Sequence, residues 1–170
     1  MIFRMKILGI DPGTATTGYG FVYLSDEGVE VGEWGLIETD KNGFKEKRLE
    51  KIFEETLSLI EIHKPDCFVI EKVFFSNNAK TAIAVGQAQG VMLLAAGKMQ
   101  VEVFEYAPGT IKKQITGSGR ANKKEVQTHI RKILGNKVKS EKKKKTHFDN
   151  AADALAIALT HAFSLKKGNE

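Results

Sequence analysis

The order of the predicted secondary-structure elements indicates an α/β domain with a five-stranded mixed sheet flanked by helices. Three short strands come first and read as an antiparallel meander. Helices and strands then alternate, and the chain finishes in helices. At 170 residues it is long enough for a single domain with a hydrophobic core. We predict one domain over residues 1–170, with 1–4 as an extension before an alternative start at Met5 and 164–170 as a tail.

The strands are predicted from apolar runs bounded by turn signals. The first ends at Asp11-Pro12-Gly13, and Asp26-Glu27-Gly28 separates the second from the third. The fourth is a continuous apolar run without alternation, as expected for a strand buried on both faces. The predicted strands are residues 5–10, 18–24, 29–38, 67–73 and 101–106.

Helical spacing of apolar residues predicts the remaining elements. Residues 44–63 place apolar side chains on one face, whereas 79–98 are rich in alanine and glycine. The last helix is apolar around most of its circumference and is expected to be buried, and a basic linker over residues 137–145 precedes it. The predicted helices are 44–63, 79–98, a short one near 110–115, 123–134 and 148–163.

Composition constrains which partners the protein is expected to bind and in which cellular compartment it is expected to act. The net charge is +5, with clusters such as Lys142 to Lys145 in the second half, which favours an anionic partner. The single cysteine, Cys67, allows no internal disulfide and suits a reducing cytoplasm. No apolar run approaches the ~20 residues that span a bilayer. Asp11 interrupts the first apolar run too early for a signal peptide, so we expect a cytoplasmic protein.

Three carboxylates occur where burial is expected. Asp11 ends the first strand, Glu71 lies in the fourth, and Asp153 lies in the apolar last helix, where Asn150 shares its face. Buried carboxylates need partners, and hard divalent cations such as Mg²⁺ take oxygen ligands. The pattern predicts metal-assisted chemistry on a phosphate. Each residue also has an ordinary structural interpretation: a turn cap for Asp11, an ion pair for Glu71, and a favourable helix-dipole position for Asp153.

Five segments, in order and covering nearly the whole chain from near residue 5 to about 163, resemble the RuvC family of bacterial Holliday junction resolvases. The first segment alone is weak evidence of this resemblance, but five segments in register are specific to the family. They are Ile7-Leu8-Gly9-Ile10-Asp11-Pro12-Gly13, Ile70-Glu71-Lys72-Val73-Phe74, Gly86-Gln87-Ala88-Gln89-Gly90, Val103-Phe104-Glu105-Tyr106-Ala107-Pro108 and the run from Ala151 to His161.

The resemblance implies a ribonuclease H-like fold and a homodimer that cuts two symmetric strands of four-way junction DNA. It implies dependence on Mg²⁺, with Mn²⁺ as a substitute and two ions per active site, and a RuvA-RuvB branch-migration complex as a further partner. Asp11, Glu71 and Asp153 match the family's catalytic, metal-binding carboxylates. The fourth such position falls on Asn150, where the family more often has Asp or His. An asparagine can bind a metal only as a neutral ligand and cannot act as a general base.

The resemblance also implies DNA contacts. Phe74 matches an aromatic residue that stacks on a base near the cut, although a core phenylalanine is the ordinary alternative. Lys112 and Lys123 match basic positions that contact phosphates, although single lysines are usually just solvated. Neighbouring basic residues expected to share that role are Lys113, Arg120 and Lys124.

The sequence suggests three alternatives, of which the second does not fit the length of the chain. One is another ribonuclease H-like nuclease that acts on RNA. A second is an actin-like ATPase or sugar kinase, whose phosphate loop resembles residues 11–18, but such proteins need two lobes and this chain is too short. The third is a junction-binding protein with weakened cleavage, an idea that rests on Asn150.

Overall fold

The computed structural model describes residues 5–73, 78–135 and 145–168, and within the last range it describes side chains for residues 151–167. Five strands form one sheet in the order β3-β2-β1-β4-β5. Strands β1, β2 and β3 pair antiparallel, whereas β1, β4 and β5 pair parallel, so the predicted mixed sheet is confirmed. The strands are β1 Met5–Asp11, β2 Thr16–Ser25, β3 Gly28–Glu38, β4 Cys67–Glu71 and β5 Glu102–Tyr106.

Helices cover both faces of this sheet. On one face, Ile7 of β1 packs with Ile130 and Leu155 of two C-terminal helices. On the other, the next residue, Leu8, packs with Ile52 and other side chains from the first two helices. This alternation follows from the period of two along a strand. The helices are α1 Lys45–His63, α2 Ala79–Lys98, α3 Pro108–Thr116, α4 Lys123–Leu134 and α5 Lys145–Gly168.

Two glycines in the sheet let α5 lie directly on the central strands. A methyl group placed on Gly9 would lie 2.3 Å from the carbonyl oxygen of Ala154, and one on Gly20 would lie 2.5 Å from a methyl of Leu155. At the edge strand β5, the Tyr106 hydroxyl and Nδ1 of His161 in α5 are hydrogen bonded at 2.9 Å. Helix α5 is therefore held at a closer distance than side chains at the two glycine positions would allow.

The predicted bounds of β4 and α5 were wrong. Strand β4 ends at Glu71 rather than Val73, because its partner β5 ends at Tyr106 and Pro108 then begins α3. Helix α5 begins at Lys145, within the predicted linker, and continues to Gly168 instead of ending at Phe163. Lysine is a good helix former, so a basic sequence is compatible with helix as well as with a linker. The rest of that predicted linker, residues 137–144, lies outside the described residues.

No helix in the described part of the chain combines the length and apolar character needed to cross a bilayer. Cys67 is buried in the core next to α5, as its position in the apolar run of β4 predicts.

Candidate active site

Asp11 and Glu71 are the last residues of two neighbouring parallel strands. Ile10 of β1 pairs with Ile70 of β4, so the carboxylates follow each other directly in register. Both side chains have the same parity along their strands as Ile7 and Val69, which pack under α5. The two carboxylates therefore project from one edge of the sheet on the α5 side.

Helix α5 brings a third carboxylate to this edge. Asp153 immediately precedes Ala154, the residue whose carbonyl oxygen lies against Gly9 two positions before Asp11. Asp11, Glu71 and Asp153 line one cavity of about 310 Å³, together with Lys112 of α3 and Lys123 of α4. Residues far apart in sequence thus meet at a single point, as predicted from the three separate buried elements.

Burial and the neighbouring carboxylates raise the pKa values of Asp11 and Glu71. Burial, followed by the charges of Asp153 and Glu71, raises the pKa of Asp11 to about 7, against a smaller opposing effect of Lys123. Burial and the charge of Asp153 also raise the pKa of Glu71, while Lys112 opposes the shift. The cleft therefore concentrates more negative charge than its two lysines neutralise, which favours binding of a cation.

Lys123 is at the border of this cleft, where its side chain is 61% exposed. Its ammonium nitrogen is 2.7 Å from a carboxylate oxygen of Asp153. Lys123 is the first residue of α4, whose N-terminus is fixed by a capping box between Asn122 and Glu125. The helix start, and with it the lysine, is therefore held beside the third carboxylate. The sequence predicted Lys123 as a phosphate contact but did not predict this ion pair.

Sequence reasoning also missed Gln89. This buried α2 residue donates from Nε2 to Glu105 Oε1 at 3.1 Å and to the main-chain carbonyl of Glu71 at 3.4 Å. It supports the end of β4 from the face opposite the carboxylate cleft. The sequence signals were its position in the segment Gly86-Gln87-Ala88-Gln89-Gly90 and on the buried side of a helix rich in small residues.

A second cavity adjoins the first. It has a volume of about 240 Å³ and shares Asp11, Glu71 and Pro108 with the larger one, but it extends towards α2 and includes Lys72. The two carboxylates at the strand ends therefore line both hollows.

The other predicted site residues are more scattered. Lys113, Arg120 and Lys124 are exposed, and Lys113 lines a separate groove beside Lys167. Phe74 lies outside the described residues. The backbone of Asn150 is part of α5, but its side chain also lies outside the described part, so its predicted role as the fourth ligand stays a prediction.

The donor chemistry of the cleft fits a hard divalent cation. Its acidic groups are carboxylates, which such ions prefer, and their mutual repulsion is relieved when a cation binds. Among the described residues, no three His, Cys, Asp or Glu side chains are already grouped tightly enough to enclose an ion. Asp153 is instead paired with Lys123, so binding of a metal by all three carboxylates requires this ion pair to loosen.

A mixed sheet in this strand order, with carboxylates at the ends of β1 and β4 and on a helix crossing the sheet, defines a ribonuclease H-like nuclease. The chain belongs to the RuvC family: residues 7–161 match the family model described as crossover junction endodeoxyribonuclease RuvC. Nucleases of this family are metal-dependent.

Individual relatives agree with this assignment. A crossover junction endodeoxyribonuclease RuvC from Thermotoga petrophila is 45% identical over 158 residues, which cover 93% of this chain and 92% of the relative. The solved structure of Thermus thermophilus RuvC is 34% identical, with a TM-score of 0.82 and coverage of 96% and 97% of the two chains. The T. thermophilus protein in complex with a Holliday junction substrate gives a TM-score of 0.83 at 33% identity, with 96% of each chain covered.

Proposed function

We propose that this protein resolves Holliday junctions by metal-dependent hydrolysis of one phosphodiester in each of two symmetric strands. The observation that carries the proposal is the convergence of Asp11, Glu71 and Asp153 in one cleft flanked by Lys112 and Lys123. Negative groups that bind cations and positive groups that attract phosphates are the two requirements of metal-assisted phosphoryl chemistry. Kinship with RuvC proteins supplies the junction as the substrate.

The residue roles follow from position. Asp11, Glu71 and Asp153, together with Asn150, would hold two Mg²⁺ ions, for which Mn²⁺ would substitute. Asp11, on the central strand, would lie between the other ligands. When bound, the pair supplies an activated water and stabilisation of the leaving 3′-oxygen. Lys123 keeps Asp153 oriented before the metal and substrate arrive, and its ammonium group then becomes available to a phosphate.

We infer that the DNA strand lies along the two hollows that meet at Asp11 and Glu71. Lys112 and Lys123 contact phosphates nearest the cut, and the exposed cations around α3 and α4 extend the basic track. Phe74 follows Glu71 by three residues and stacks on a base beside the cut. The outer cations of this track are Lys113, Arg120 and Lys124.

We propose a homodimer that pairs through α2. Ile83 and Leu94 are exposed hydrophobic residues on this helix, and the intervening Gly86 and Gly90 lie on the same face. A methyl group placed on either glycine meets no described atom within 4 Å beyond the helix's own backbone, so another helix can approach closely. A two-fold pair of this kind supplies two active sites for the two symmetric strands of a junction.

The remaining expectations depend on this function. We propose that residues 1–170 act as one nuclease domain in the cytoplasm, where junctions in chromosomal DNA arise, and that a RuvA-RuvB branch-migration complex delivers the substrate.

The test is cleavage of a synthetic mobile four-way junction by purified protein with Mg²⁺ or Mn²⁺, and with EDTA as the control. We expect paired nicks at symmetric positions, no cutting in EDTA, and little cutting of linear duplex. Preferential cutting of an RNA–DNA hybrid would instead support the RNA-directed alternative.

A junction-binding protein with weakened cleavage is the second candidate, and it rests on the neutral residue at position 150. Asn150→Asp restores a charged ligand, so we expect the cleavage rate to rise, most clearly at low Mg²⁺. Tight junction binding without cleavage by the natural chain, together with cleavage by Asn150→Asp, would favour this second function. A slower Asn150→Asp variant would mean that the asparagine is the ligand this site requires.

A further inference from the structure

The peptide group between Glu71 and Lys72 is held at the end of β4 by the neighbouring strand. This group is planar and trans, so its carbonyl and its N–H point in opposite directions. The Lys72 N–H donates to the main-chain carbonyl of Tyr106 in β5 at 2.9 Å. The Glu71 carbonyl therefore points away from β5, towards β1, which lies on the other side of β4.

The position in β1 that would pair with this carbonyl is occupied by a proline. Ile10 of β1 pairs with Ile70 of β4 in parallel register, so the donor expected for the Glu71 carbonyl is the N–H of residue 12. Pro12 has no N–H. The regular ladder therefore stops one bond short at the residue that carries the second carboxylate of the cleft, and the carbonyl needs a donor from elsewhere.

Gln89 of α2 supplies that donor. Its side-chain nitrogen carries two hydrogens, and the structure uses both. One is donated to the Glu71 carbonyl at 3.4 Å and the other to Glu105 Oε1 at 3.1 Å. The shorter bond, to a carboxylate oxygen on β5, anchors the amide group so that its remaining hydrogen is directed at Glu71.

Both supports of this amide group are fixed to β4. On α2, Ala88 and Met92 belong to the same core cluster as Ile70, the residue before Glu71. On β5, Glu105 pairs with Ile70 in the parallel ladder. Gln89 is itself buried, with 7% of its surface exposed, so its two hydrogen bonds are shielded from competing water.

We propose that Gln89 is a positioning residue for Glu71, with Glu105 as its anchor. Held at its carbonyl by Gln89 and at its N–H by β5, the peptide after Glu71 cannot rotate or shift freely. Such a shift would carry the Glu71 carboxylate out of line with Asp11 and Asp153. Gln89 thus directs this carboxylate into the cleft before a metal ion arrives. This role deepens the proposed function and rests on its assignment of Glu71 to the metal.

Metal affinity tests the proposal without relying on cleavage. Gln89→Met keeps an unbranched side chain of similar length but removes both donors. Mn²⁺ binding is followed in the absence of DNA by the electron paramagnetic resonance signal of the free ion. Groups that orient metal ligands contribute ~10- to 100-fold to metal affinity or activity, and we expect a loss of about 10-fold here because Gln89 acts through the main chain.

Cleavage should show the same displacement. The Mg²⁺ concentration that gives half-maximal cleavage should rise in Gln89→Met by a factor similar to the loss in Mn²⁺ affinity. The KM for the junction should stay the same, because Gln89 is buried on the face of the sheet opposite the cleft.

Two changes at Glu105 isolate the anchoring hydrogen bond. Glu105→Ala and Glu105→Gln remove the same negative charge from an exposed position, but only the glutamine keeps an oxygen that can accept from Gln89. We expect weaker Mn²⁺ binding in Glu105→Ala and natural binding in Glu105→Gln. Because residue 105 is exposed, this pair decides the question even if Gln89→Met does not fold.

Thr56→Val is the control for a general loss of buried polar contacts. The buried Thr56 hydroxyl donates to the Ile52 carbonyl within α1 at 2.7 Å, and neither residue lines the carboxylate cleft. Any effect of this change on the free energy of unfolding should leave Mn²⁺ affinity as it is.

Natural Mn²⁺ affinity and natural Mg²⁺ dependence in Gln89→Met would overturn the inference while the proposed function stands, provided the natural protein cleaves junctions. Equal Mn²⁺ affinity in Glu105→Ala and Glu105→Gln would overturn the anchoring role of Glu105. If Gln89→Met loses Mn²⁺ affinity but the natural protein cuts no junction, the positioning role holds and the proposed function fails.

Discussion

Glycine has opposite uses on the two sides of the sheet. On the α5 side, Gly9 and Gly20 make room for a helix that touches the strand backbone. On α2, Gly86 and Gly90 face open space, where an added methyl group meets no described atom within 4 Å outside the local helix. The first pair fixes the position of Asp153 and so shapes the chemistry. The second pair has no packing role among the described residues of one chain, which is why we assign it to contact with a second copy.

The largest expected effect is on the close-packed side. Gly9→Ala should lower the free energy of unfolding by about 1–3 kcal/mol, because its methyl group would overlap the Ala154 carbonyl and push α5 away. Cleavage should fall as well, since Asp153 moves with the helix. Gly109→Ala in α3 is the control, because its added methyl group meets no described atom within 4 Å and lies outside the proposed dimer face. It should stabilise α3 by roughly 0.5–1 kcal/mol. Urea titration of both variants makes the comparison, and a Gly9→Ala protein as stable as the natural one would contradict it.

The carboxylate cleft should make stability depend on pH. The pKa of Asp11 is about 7 in the folded chain and about 3.9 when unfolded, so between these values the folded state binds more protons. The free energy of unfolding should therefore fall as pH rises through this window in metal-free buffer. Asp11→Asn removes the charge and should raise stability at pH 8 by on the order of 1–3 kcal/mol.

Asp26→Asn is the control for this titration, because Asp26 is exposed in the turn between β2 and β3. Its stability profile should follow the natural one. Equal stability of Asp11→Asn and the natural protein at pH 8 would mean that burial and the neighbouring carboxylates do not raise the pKa of Asp11 as described.

A smaller effect is expected at Lys123. Lys123→Ala should weaken binding to junctions of any sequence and flatten the slope of log affinity against log salt by up to ~1 unit, because one phosphate contact is lost. Lys98, at the far end of α2, serves as the control. An unchanged slope for Lys123→Ala would mean that this lysine contacts no phosphate and serves only in its ion pair with Asp153.

Phe74→Ala should distinguish the contribution of base stacking from that of positive charge. It removes no positive group, so the salt slope should stay the same while cleavage falls, in line with the ~1–3 kcal/mol that a stacked base contributes. Normal cleavage by Phe74→Ala would indicate an ordinary packing residue.

The sequence was sufficient to predict the sheet and to single out the three carboxylates. Asp11, Glu71 and Asp153 each interrupt or end an apolar run, and that local contrast is visible without coordinates. The start of α5 was not predictable in the same way, because Lys145 and its neighbours suit a helix and a linker equally.

Contacts between side chains from different elements also could not be predicted from the sequence. The pair between Lys123 and Asp153 depends on how α4 lies against α5, and the Gln89 hydrogen bonds depend on how α2 lies against β4. The buried oxygen of Gln87, which has no hydrogen-bond partner among the described residues, is likewise evident only from the packing around it. Periodicity predicts which face of a helix is buried, but not which atoms meet there.

The most direct test of the account is a Mg²⁺ titration of junction cleavage by the natural protein and by Asp11→Asn, Glu71→Gln and Asp153→Asn, with junction binding measured in parallel. If the three carboxylates form one metal-binding catalytic site, each variant should lose at least about 10³-fold in cleavage rate, since metal stabilisation of the transition state amounts to several kcal/mol. Each should still bind the junction within about threefold of the natural protein, because binding depends mainly on the cations. Cleavage at the natural rate by any one variant would contradict the account and exclude that carboxylate from the site.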